Sequence, residues 1–157
     1  MRREILLYPD PFLARKAVPV AAVNDRIRVL IRDMFETMYA AEGVGLAATQ
    51  VGVGKRVVVL DVSPVDETIA PMAVVNPEIV SRKGSVTGVE GCLSVPGVQG
   101  EVCRAETVEV RGMDEQGNPV RIRAAGILSR ALQHEIDHLD GILFIERASS
   151  SAAASAK

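Results

Sequence analysis

The chain has 157 residues, enough for one domain that buries roughly two thirds of its unfolded surface and too few for two. Lys and Arg number 18 against 20 Asp and Glu, and the net charge of -2 leaves no basic excess for a phosphate backbone, so nucleic acid is excluded as a first reading. With 48% apolar and 24% charged residues the chain is not of the disordered class, and its two cysteines, Cys92 and Cys103, are too few for a disulfide-stapled secreted scaffold.

The opening segment, Met1-Arg2-Arg3-Glu4-Ile5-Leu6-Leu7-Tyr8-Pro9, has too short an apolar run for a signal or transit segment. No stretch approaches the roughly 18 apolar residues of a membrane span, so the expected address is the cytoplasm. Asn24 is a good N-cap for a helix to about Ala41, because Ile27, Leu30, Ile31, Met34, Phe35 and Met38 recur at three- and four-residue steps. Gly43-Val44-Gly45 is expected to stop it. Val57-Val58-Val59-Leu60 reads as a buried strand, and Met72 to Val80 as a second one, interrupted by Asn76-Pro77 at an edge or a bulge. Thr107 to Arg111 and Val120 to Arg123 alternate apolar with polar around the turn residues Glu115 to Asn118, which predicts a hairpin with one wet face. Gly126 to Asp140 carries helix periodicity through Leu128, Ala131, Leu132, Glu135 and Leu139, and Gly141 suits the stop. Helix, strands, helix is not the alternation of a parallel βαβ protein; it predicts an α+β fold with mostly antiparallel sheet. Residues 1–148 are expected to form a single catalytic domain and the low-complexity residues 149–157 a frayed tail.

The whole histidine content sits in His134-Glu135-Ile136-Asp137-His138. A four-residue step turns about 400° around a helix, so both imidazoles share one face and can serve one metal ion. Glu135 falls beside that metal without ligating it, where it can take a proton from an activated water. The plain alternative is a solvated helical face with two histidines. Asp137 points off the metal side, toward the surface or a supporting contact. In a metzincin-type protease a third histidine would follow at position 144, which is Phe144; a gluzincin-type site needs a Glu from a later helix, and only Asp140 and Glu146 follow, too near and with no helix expected behind them. The third ligand must therefore come from upstream. There Cys92 stands in Glu90-Gly91-Cys92-Leu93-Ser94-Val95-Pro96-Gly97, which reads as a cysteine between a Gly turn and a Pro-Gly turn rather than inside a core strand. A thiolate with two imidazoles suits a divalent transition metal and leaves a position open for water; the alternative is an inert buried cysteine. Blue copper shares these ligands, but a glutamate between two helical histidines has no use in electron transfer. Cys103 lacks such a setting. In Gly43-Val44-Gly45-Leu46-Ala47-Ala48-Thr49-Gln50 small residues admit an extended substrate backbone, and Gln50 offers an amide N–H to a developing oxyanion. Ile127 and Ala131 lie seven and three residues before His134 on its helical face, and with Val44 could line an apolar slot.

Taken in order, these three motifs resemble the signature motifs of the peptide deformylase family, with similarity from about Tyr8 to Ile145. The resemblance implies an α+β fold, mostly antiparallel sheets around a C-terminal metal-binding helix. It implies that Cys92, His134 and His138 hold Fe²⁺, with Zn²⁺, Ni²⁺ or Co²⁺ able to take its place. The implied reaction removes formate from the N-terminal formyl-methionine of nascent peptides, by attack of a metal-bound hydroxide on the formyl carbon. Gln50 and the Leu93 backbone N–H would receive the charge on the formyl oxygen, and Glu135 would carry the proton to the leaving amine. The peptide would pair with backbone beside Gly43, Val44, Gly45 and Gly97. Two features depart from the pattern. Gln99 stands where some relatives carry a substrate-holding arginine, so that role is not assigned. A transient ribosome contact is a further partner the resemblance raises, but only Arg147 and Lys157 are basic beyond Glu146, where many bacterial relatives have a longer basic helix. On the same chemistry, a small metallopeptidase cleaving peptide bonds is the runner-up; a binding protein with a structural metal is a third reading, opposed by Glu135.

Overall fold

The computed structural model describes residues 1–148; the tail expected at 149–157 lies outside them. Helix α1 (Asp25–Ala40) begins where Asn24 predicts, its side chain accepting from the Ile27 N–H at 3.1 Å. It ends at Ala40 with Ala41 as its cap, as expected. Glu42 takes a left-handed φ of 58°, and the Gly43 and Glu42 N–H groups bond back to the carbonyls of Met38 and Tyr39.

A five-stranded antiparallel sheet follows, in the order β1-β2-β3-β6-β7, from β1 (Gly45–Ala47), β2 (Val57–Leu60), β3 (Met72–Lys83), β6 (Thr107–Met113) and β7 (Pro119–Ala125). The expected α+β architecture is therefore the observed one. β2 is buried on both faces: Val57 and Val59 pack with Met34 and Met38 of α1, while Val58 and Leu60 pack with Leu132 and Leu139 of helix α2 (Gly126–Leu139). An antiparallel strand with both faces covered loses its polar alternation, which explains the unbroken Val-Val-Val-Leu. β3 runs on to Lys83 as an inner strand, so Asn76-Pro77 marks a bulge, with the register shifting between Val75 and Glu78. Asn76 tolerates its left-handed φ of 53° and binds the Val20 backbone through both amide atoms, accepting at 2.7 Å and donating at 2.9 Å. The hairpin β6–β7 forms as expected, its turn held by Asp114 accepting from Gln116 and Asn118.

A separate two-stranded ribbon, β4 (Val86–Cys92) and β5 (Val95–Arg104), is the part the hydrophobic pattern does not predict. It corrects the setting of Cys92, which is the last residue of β4 and not a loop cysteine between two glycine turns. Gly91, Pro96 and Gly97 belong to the strands, and Leu93-Ser94 is the turn. The ribbon packs against helix α3 (Phe144–Arg147) through Val95, Val102 and Phe144. α2 ends as read, with Gly141 at φ 77°, where a Cβ would lie 2.4 Å from the Ala14 carbonyl oxygen. The metal-ligand candidates thus come from two bodies: the cysteine from the ribbon, the histidines from the helix over the main sheet.

Candidate metal centre

His134 and His138 stand one turn apart on α2, with their Nε2 atoms 3.3 Å from each other, and Cys92 Sγ lies 3.3 Å from His138 Nε2. Among the described residues this is the group of His, Cys and carboxylate side chains that could hold a metal ion, its three donor atoms all within 4.8 Å. Two nitrogens about 2.1 Å from a tetrahedral ion stand about 3.4 Å apart, so the observed spacing fits a shared cation. Three lone pairs aimed at one point repel one another unless a proton or a cation sits between them. Glu90 settles the tautomer of His134. Its carboxylate is an acceptor 2.9 Å from Nδ1, so that nitrogen carries the hydrogen and Nε2 is left free to ligate.

Sequence reasoning missed the charged network behind this contact. Arg104 grips both oxygens of Glu90, at 2.7 and 2.8 Å, and reaches Asp137 at 2.6 Å. Arg130 adds a bond to Glu90 at 2.6 Å and two to the carbonyls of Val86 and Val102. Gln133 ties α2 to the segment between β5 and β6, bonding both backbone groups of Ala105 at 3.0 Å. Burial opposes a charge on Glu90, but the Arg104 and His134 hydrogen bonds outweigh it and hold the carboxyl down at about 2. Burial also opposes a charge on His134, yet Glu135, Cys92 and Glu90 raise it to about 10. His138, buried and facing His134, is held well below its ordinary value. A cation must therefore displace a proton at His134, and acid weakens its binding.

Except for His138, which closes the cluster from behind at 0% exposure, every expected site residue lines one cleft of about 670 Å³. Glu135 faces that cleft, and burial lifts its carboxyl to about 7 against the opposing pull of His134. Its Oε1 atom is buried and has no hydrogen-bond partner among the described residues. Gln50 is held by accepting from the Ala47 N–H at 2.9 Å, while its Nε2 donates to Ser94 Oγ at 3.0 Å and lies 3.6 Å from Cys92 Sγ. Leu93 sits in the turn beside that sulfur; Gly43, Val44 and Gly45 form one wall, Gly97 the ribbon side, and Ile127 and Ala131 the floor on α2. Asp137 lies off the metal side, as expected, where it meets Arg104 and Arg147. Cys103 is exposed and outside the site.

The comparisons agree with this geometry. The family model described as polypeptide deformylase matches residues 2–154. The chain is similar to the peptide deformylase of Alkalilimnicola ehrlichii, 52% identical over 143 residues, which is 91% of this chain and 80% of that protein. It is also similar to that of Picosynechococcus, 48% identical over 149 residues, 94% of this chain and 80% of the other. Among solved structures, peptide deformylase from Legionella pneumophila superimposes with a TM-score of 0.93 at 45% identity, covering 99% of this chain and 91% of that one. The enzyme from Synechococcus elongatus in complex with actinonin gives 0.92 at 41%, covering 98% and 85%.

Two predictions follow from the geometry. A Cβ at Gly45 would lie 2.5 Å from Glu135 Oε2, so Gly45→Ala should displace the carboxylate and lower kcat on the order of 10²-fold while metal content is retained; unchanged kcat would mean that Glu135 has room to spare. The second concerns acid. A carboxyl held at about 2 against an ordinary 4.5 contributes stability that is complete above about pH 4.5 and lost as pH falls toward 2. Urea midpoints should fall steeply across that window in the parent protein and less steeply in Glu90→Gln, and equal slopes would contradict the role given to Glu90.

Proposed function

The chain belongs to the peptide deformylase family, a family of hydrolases that remove the formyl group from nascent peptides, and on that premise we propose which of its residues carry the reaction. The observation that supports the assignment is the convergence of Cys92, His134 and His138 on one point at the base of an open cleft, with Glu135 beside it. In this proposal residues 1–148 form the catalytic unit. Cys92, His134 and His138 hold the metal. A thiolate with two imidazoles suits Fe²⁺, which we assign, and equally accepts Zn²⁺, Ni²⁺ or Co²⁺. When bound, the cation supplies a Lewis acid and an acidified water.

The remaining steps belong to the side chains. Glu135 takes the proton of the attacking water and delivers it to the amine nitrogen as the C–N bond breaks, so that formate and a neutral amine depart. Gln50 Nε2 and the Leu93 backbone N–H donate to the formyl oxygen as it gains charge. Two supports hold the Gln50 amide: its own oxygen on the Ala47 N–H and its nitrogen on Ser94. The Ser94 bond uses one Nε2 hydrogen, and the other, which faces Cys92 Sγ at 3.6 Å, is the one the formyl oxygen would receive. Gly43, Val44, Gly45 and Gly97 offer backbone on the cleft walls for an extended peptide to pair with, the space beside Gly43 and Gly45 being taken by Leu93 and Glu135, and Val44, Ile127 and Ala131 line the slot for the methionine side chain. A cytoplasmic address follows from that substrate; no described helix is long and apolar enough to cross a membrane. No ribosome contact is proposed. The comparisons do not favour the metallopeptidase reading, since the relatives named above are deformylases.

The direct test is anaerobic formate release from a formyl-methionyl tripeptide against its acetylated twin, with elemental analysis of the same sample. The parent protein should release formate and leave the acetyl peptide intact. Glu135→Ala should keep the metal and lose turnover, whereas Cys92→Ala should lose most of the metal; a Cys92→Ala protein that keeps its full metal content through dialysis would overturn the ligand set. Gln50→Ala should lower kcat by roughly 10²-fold, and an unaltered kcat would remove Gln50 from the mechanism.

A further inference from the structure

We propose that helix α3 is a latch on the metal centre and that Arg147 is a positioning residue for His134. The inference rests on the ligand assignment above and adds a control over it from outside the cleft. Two independent contacts run from α3 to that imidazole. Phe144, 1% exposed, lays its ring along His134 with centroids 6.1 Å apart and an interplanar angle of 26°.

The second contact is ionic. Arg147 donates to both oxygens of Asp137, at 2.5 and 3.0 Å. The same Asp137 accepts from Arg104 at 2.6 Å. Arg104 holds both oxygens of Glu90, and Glu90 accepts from His134 Nδ1 at 2.9 Å. Side-chain exposure drops from 44% at Arg147 to 13% at Asp137 and is 5% or less at Arg104 and Glu90. Each inner charge is desolvated, so its orientation depends on the partner outside it. Ala148, directly after α3, also pairs with Val102 on the strand that carries Arg104. The outer end of the path is exposed, yet its inner end fixes the direction in which His134 Nε2 faces Cys92 and His138.

An ordinary surface ion pair would contribute little and could be removed without consequence. This one shares Oδ2 of Asp137 with Arg104 and is the side-chain contact that takes Oδ1. Without Arg147, Asp137 can turn toward solvent, Arg104 loses one of its two anchors, and Glu90 no longer holds the imidazole as tightly. A group bonded directly to a ligating imidazole, as Glu90 is to His134, typically alters metal retention by 10- to 100-fold, and Arg147 acts on that group through Asp137 and Arg104.

The test uses the full chain loaded with Co²⁺, following visible absorption and the rate of Co²⁺ loss to a chelator. Arg147→Ala should release Co²⁺ about 10-fold faster and shift the cobalt absorption bands, and Arg147→Lys should recover part of both. Arg123→Ala, which removes an exposed ion pair with Glu109 on β6, should change neither. Should Arg147→Ala fail to fold, Arg147→Lys alone must still show faster release than the parent. Parent-like release and unshifted bands in the Arg147 variants would overturn the latch, as would equal acceleration in Arg123→Ala. Cys92→Ala serves as the separate control. If it binds Co²⁺ as the parent does, the ligand assignment fails; if it loses Co²⁺ while the Arg147 variants behave as the parent, the latch alone fails.

Discussion

One sulfur at the end of a two-stranded ribbon must meet two imidazoles on a helix that belongs to the main sheet. Neither body alone contains the site, so everything that seats the ribbon against α2 is part of the metal centre. The seating has an apolar part, Val95 and Val102 against Phe144, and an ionic part centred on Glu90. A buried ion pair is weak support for stability, because desolvation offsets most of the attraction. It is strong support for geometry. Glu90 accepts from Arg104, Arg130 and His134, and each of these bonds constrains a different direction.

Within that frame the catalytic groups are held by exclusion as much as by contact. Gly45 has no side chain, which is why the Glu135 carboxylate can lie against β1. Burial then keeps that carboxyl basic enough to take a proton near neutrality. Gln50 is fixed from both ends of its amide. The two groups proposed for opposite tasks, Glu135 for the proton and Gln50 for the developing charge, thus line the same cleft.

Much of this was legible in the sequence, and the rest was hidden for physical reasons. The two long helices are legible because their apolar residues recur with the helical period and their caps, Asn24 and Gly141, do what those residue types do; α3, which carries Glu146 where no helix is expected, has only four residues and shows no period. The two histidine candidates stand out because histidine is so scarce in this chain, and the structure brings them together with Cys92. The ribbon was not legible, because Gly88, Gly91, Gly97 and Gly100 break the alternation that marks a strand, and so Cys92 was read as a loop residue. β1 is three residues long, too short for any periodicity. The Glu90 network was out of reach because its partners are 14, 40 and 44 residues away. Such pairings depend on the tertiary fold, and a charged residue in a strand ordinarily reads as solvated. The one available signal was Glu90 itself, an acid two residues from a proposed ligand.

The claim that a single cation is shared by one thiolate and two imidazoles is tested most directly by X-ray absorption at the metal edge of anaerobically purified protein. The account predicts one sulfur scatterer near ~2.3 Å together with two imidazole nitrogens near ~2.1 Å and a light-atom ligand besides. A first shell of nitrogen and oxygen only, with no sulfur, would contradict it.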